Sequence, residues 1–123
     1  MGEVARIFCA VYCGMIVNPD AIVAQMESAI TFGLSAALYG AITLKNSRVE
    51  QFNFDISPMM RINVMPEVWV AIIQSGERPS AIGETVVPPI APKVANALFA
   101  VNGARLRSLT LTLKNILEEL KVK

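Results

Sequence analysis

Residues 21–39, AIVAQMESAITFGLSAALY, constrain the fold more than any other stretch. Ile22, Val23, Met26, Ile30, Leu34, Ala37 and Leu38 recur there at helical spacing. The apolar arc is broad, so such a helix must be buried on more than one side. Ala24, Ser28, Gly33, Ser35 and Ala36 are small enough to let other backbones approach closely. Asn18 or Asp20 can cap the helix, Pro19 suits its first turn and Gly40 can end it. Gln25, Glu27 and two serines fall inside the stretch, a load a membrane span rarely carries. The expectation is a buried core helix and no membrane span.

A helix of this kind needs a core, and the composition supplies one in excess. The chain has 123 residues, 54% of them apolar and only 17% charged, against about 25% charged in an ordinary soluble domain. These charges are too few to cover the outside evenly, so part of the surface is expected to be covered by something else, with a homo-oligomer one option. A formal charge of +1 argues against binding nucleic acid. The basic residues are scattered, with a small cluster at Arg105, Arg107 and Lys114. Histidine is absent, which excludes Ser-His and Cys-His nucleophiles and most zinc sites. Cys9 and Cys13 lie four apart on an expected strand, facing one side but too distant for an easy bridge. They read as small buried hydrophobes rather than metal ligands. Residues 1–14 lack the order of a secretory signal, which points to a reducing, cytoplasmic setting.

ARIFCAVYCG is rich in β-branched and aromatic residues and reads as a strand ending at Gly14. AITLKNSRVEQFNF reads as a hairpin turning at Lys45-Asn46-Ser47, followed by an irregular linker through Pro58 and Pro66. EVWVAIIQS reads as a strand with Val68, Val70 and Ile72 on one side and Trp69, Ala71 and Ile73 on the other, apolar on both faces. GERPSAIGETVVPP reads as a loop, and IAPKVANALFAVNG as a second helix starting near Pro88 or Pro89 and ending at Asn102-Gly103. A short third helix is expected from about Thr112, with Ile116, Leu117 and Leu120 on its apolar side. The expected fold class is α+β, one domain over residues 1–123, with a small, mostly antiparallel sheet, two main helices packed on it and a short C-terminal helix.

Two residues stand out as chemistry. Glu84 follows Ile82-Gly83 and precedes Pro88-Pro89, so its carboxylate sits on a stiffened segment at the entrance of a helix. Partial burial there would make it a usable proton acceptor, whereas full solvation would make it loop punctuation. Gln25 lies in an apolar helix, where its amide needs either neighbouring backbone or a polar cofactor as partner. Asn96 carries the same ambiguity in the second helix.

NPDAIVAQMESAITFGLSAALYGAIT, VEQFNFD and IGETVVPPIAPKVANALFAVNGARLRSL agree in order and spacing with another set of proteins. They resemble the C-terminal part of molybdenum hydroxylase large subunits, the xanthine dehydrogenase and aldehyde oxidase family, and look most like the isoquinoline 1-oxidoreductase β-subunit type. The resemblance runs from about residue 7 to residue 109. It implies that Glu84, in the Ile-Gly-Glu loop, is the essential base and that Gln25, in the Gln-x-Glu helix, contacts molybdopterin, with Gly83 giving close approach. It implies hydroxylation of an N-heterocycle or an aldehyde with water as the oxygen source. The partners implied are the remaining domains of the large subunit and an iron–sulfur subunit, and the location is periplasmic if the complete enzyme is exported. The chain departs from the family pattern at Tyr12, usually aspartate, at Ser28, often glycine, and at Thr85-Val86, often Pro-Gly. Family large subunits are several times longer, so this chain is expected to be inactive alone, as an excised piece or a separate short product. The alternative expectation is a non-catalytic relative acting as an assembly module.

Overall fold

The computed structural model describes residues 4–121. The first three residues of the stretch read for a secretory signal, and the last two of the C-terminal tail, lie outside them. Strand β1 spans Arg6–Tyr12, helix α1 Pro19–Tyr39, the short strands β2 and β3 Leu44–Lys45 and Arg48–Val49, and strand β4 Glu67–Ile73. Helices α2, Val87–Asn102, and α3, Leu113–Lys121, follow.

α1 begins where its sequence permits. The Asn18 side chain accepts from the Ala21 amide at 3.2 Å, and Pro19 needs no donor in the first turn. Asp20 is therefore a first-turn acid rather than the cap. At 21 residues α1 is long and apolar enough to cross a membrane by length and composition. Here it forms the centre of the core, with Met26, Ile30 and Leu34 fully buried. Each such side chain contributes about 1.5–3 kcal/mol by leaving water. Ile90 and Val94 of α2, Val11 of β1, Cys13 and Leu111 complete the cluster. Both cysteines are unbridged.

The expected antiparallel sheet is overturned. β1 and β4 pair in parallel, from Arg6 opposite Glu67 to Tyr12 opposite Ile73. Antiparallel pairing among the described residues is confined to the separate β2–β3 ribbon. The reason lies in the connection. α1 carries the chain back along the strands, so β4 starts at the same end as β1, the kind of crossover that parallel strands need. The hairpin does form, with Asn46 and Ser47 both at positive φ (50° and 61°), but its residues are exposed and never join the main sheet. The apolar faces of β4 were the signature of a parallel strand. One face is half-buried, with Ile7, Cys9, Val68, Val70 and Ile72 packed on the core. The other is open: Phe8 and Trp69, opposite one another, are 71% and 55% exposed, with ring centroids 6.4 Å apart.

α1 crosses α2 at a glycine. A Cβ on Gly33 would lie 2.9 Å from Ile90 Cγ1 and 3.1 Å from the Val87 carbonyl oxygen. A backbone oxygen cannot step aside, so Gly33→Ala is expected to force the helices apart and destabilise by about 1–3 kcal/mol. Denaturant unfolding of the purified protein measures this, and an unchanged midpoint would refute the close crossing.

Candidate active site loop

Glu84 sits in the turn between β4 and α2, and the turn is held at both ends. The Ser80 amide donates to the Cys13 carbonyl at 3.0 Å, and the Met15 amide to the Glu77 carbonyl at 2.9 Å. These bonds tie the loop after β4 to the end of β1. Gly14, at φ 80°, makes the approach possible, since a Cβ there would fall 2.2 Å from the Arg78 carbonyl oxygen. On the α2 side, the Thr85 hydroxyl donates to the Ile82 carbonyl at 3.2 Å and the Val87 amide to the Glu84 carbonyl at 3.1 Å. Val86 is buried in the core and anchors the turn.

The structure brings two of the sequence candidates together. A Cβ on Gly83 would lie 3.1 Å from Gln25 Oε1, so the loop passes directly over the side chain of Gln25 on α1. Gln25 and Glu84 are both exposed, and neither side chain has a hydrogen-bonding or ion-pairing partner among the described residues. Of the alternatives open for Gln25, the amide bonded to nearby backbone is not the one found, because the wide apolar arc of α1 stops short of it. Glu84 is solvated rather than partly buried, because among the described residues nothing covers the turn from outside. Asn96 is exposed on α2, and Glu27 lies exposed on α1.

Among the described residues, no group of three His, Cys, Asp or Glu could hold a metal ion. Two members of the basic cluster make local contacts: the Arg105 guanidinium lies 3.7 Å over the Phe99 ring, and Lys114 pairs with Glu118 at 3.9 Å one helical turn away. Sequence reasoning missed Lys93, which lines a groove of about 390 Å³ beside the Glu84 turn together with Thr85, Val86 and Pro89. Its signal was present, because Lys93 is the single charged residue of α2 and follows Pro89 by one helical turn.

The turn is thus pinned to a two-strand parallel unit, and it presents an exposed carboxylate and amide without side-chain partners among the described residues. The chain is 34% identical over 107 residues to isoquinoline 1-oxidoreductase subunit beta of Brevundimonas diminuta, covering 87% of this chain and 14% of that protein. It is 31% identical over 108 residues to a membrane-bound aldehyde dehydrogenase of Gluconacetobacter polyoxogenes, named for pyrroloquinoline quinone, covering 88% of this chain and 14% of that protein. A Cu,Mo carbon monoxide dehydrogenase structure superposes with a TM-score of 0.84 at 16% identity, over 98% of this chain and 16% of that one. Quinoline 2-oxidoreductase of Pseudomonas putida 86 gives 0.83 at 15% identity, over 97% and 16%. At those identities the solved structures speak for the fold alone. No family model matches the chain. The chain resembles the isoquinoline 1-oxidoreductase β-subunit type of molybdenum hydroxylase, and it spans 14% of the length of both curated relatives named above.

Proposed function

We propose that this chain supplies the base and cofactor contacts of a molybdopterin-dependent hydroxylase acting on an N-heterocycle or an aldehyde. The observation that carries this reading is the close approach of Gly83 to Gln25 Oε1, at 3.1 Å from the position of a Cβ, with Glu84 next in sequence. The residues fit the organic part of such a cofactor. The Gln25 amide offers two donors and an acceptor to its polar edges, and Gly83 keeps the approach clear. When bound, the cofactor would supply electron acceptance and oxygen activation. Glu84 would hold the transferred proton on its carboxylate, and the turn anchored by Val86 would fix that carboxylate in position. The rest of the site, including the walls that select substrate, would come from polypeptide outside this sequence. An iron–sulfur subunit would carry electrons away.

Gln25→Ala tests the cofactor contact in the assembled enzyme. It is expected to weaken molybdenum retention about 5- to 10-fold on dialysis, the equivalent of one net hydrogen bond. Glu27→Ala, two residues along the same helix, is expected to leave retention unchanged. Equal retention in both variants and the parent would remove Gln25 from the site.

A further inference from the structure

We propose that the groove along the unpaired edge of β1 receives an extended strand from polypeptide outside this sequence. The proposal rests on the reading above, because the strand is assigned to the remainder of the hydroxylase. Among the described residues β1 pairs with β4 alone, on one edge. The groove of about 390 Å³ runs along β1 and is lined by every residue from Ile7 to Tyr12. Its floor is apolar, formed by Met26, Ile30 and Ile90, and Pro89 and Lys93 stand on the far wall. An added strand would gain main-chain hydrogen bonds from the edge and pockets for alternate side chains from the floor.

Three observations select this occupant. Residues 7–12 contain no proline and no charge, the devices that protect a native edge from pairing. A two-stranded unit is marginal by itself, and parallel sheets are normally covered and extended. The curated relatives are much longer, since the chain spans 14% of them, so such a strand has a source. The groove wall includes Thr85 and Val86, the residues after Glu84. A docked strand would therefore cover the turn and give Glu84 the burial this chain does not provide.

The test is residue-resolved hydrogen exchange on the protein purified as it is assembled in its cells, with molybdenum measured on the same sample. Alternate amides of residues 7–12 face β4 and the groove. With a strand in place, both sets are expected to exchange within about tenfold of one another. A photo-reactive benzoylphenylalanine at position 93 is expected to cross-link to a segment outside this sequence. Groove-facing amides that exchange about 100-fold faster or more, or a cross-link to a second copy of this chain, would overturn the proposal. Fast exchange in a molybdenum-containing sample defeats the strand and leaves the cofactor reading intact. Slow exchange without molybdenum does the reverse.

Discussion

Glu84→Gln in the assembled enzyme is expected to lower kcat about 100- to 10,000-fold, the usual worth of a positioned general base. The substitution keeps size and hydrogen-bonding reach and removes the proton acceptor. Folding should barely change, by about 0.5 kcal/mol or less, because Glu84 is exposed and its carboxylate has no partner among the described residues. Molybdenum content is expected to match the parent. A fall in kcat with metal retained is the signature of lost base catalysis. Turnover within about threefold of the parent, far below any general-base effect, would show that Glu84 is not the base.

Gly14→Ala is expected to be the most damaging single methyl group in the chain. Two costs combine at this position. The backbone is in the left-handed region at φ 80°, and the new Cβ would fall 2.2 Å from the Arg78 carbonyl oxygen and 2.9 Å from that of Glu77. Left-handed strain contributes about 1–2 kcal/mol, and overpacking about 1–3 kcal/mol more. The loop after β4 must lift away from the end of β1, which strains the Ser80–Cys13 and Met15–Glu77 hydrogen bonds. Since that loop leads into the Glu84 turn, activity should fall along with stability. Gly76→Ala is the control, because a Cβ there meets nothing within 4 Å. Equal unfolding midpoints for the two variants would contradict the account of how the turn is held.

Much of the local structure was legible in the sequence because its signals are short-range. The Asn18-Pro19 start of α1, the positive-φ turn at Asn46-Ser47 and the Gly103 stop of α2 each depend on a few neighbouring residues. Strand direction was not legible in the same way. It depends on how α1 returns the chain, and the hairpin between β1 and β4 invited an antiparallel reading although it pairs only with itself. The apolar pattern of β4 was identified, but no residue in it says that one of its two faces stays open. At the site, Gly83, Glu84 and Gln25 were all named from sequence. Their proximity was not readable, because it is set by where the loop crosses α1. Sequence reasoning left the exposure of Glu84 open, and it placed Gln25 inside an apolar helix without showing that its own position lies beyond the buried arc.

The central claim is that this chain works as the cofactor-contacting part of a molybdenum hydroxylase. Its most direct test is the cofactor content of the protein purified through this chain from its own cells, by elemental analysis for molybdenum and by an assay for released pyrroloquinoline quinone. One molybdenum for each copy of the chain and no quinone is the expected result. A complex without molybdenum, or one carrying the quinone in its place, would contradict it.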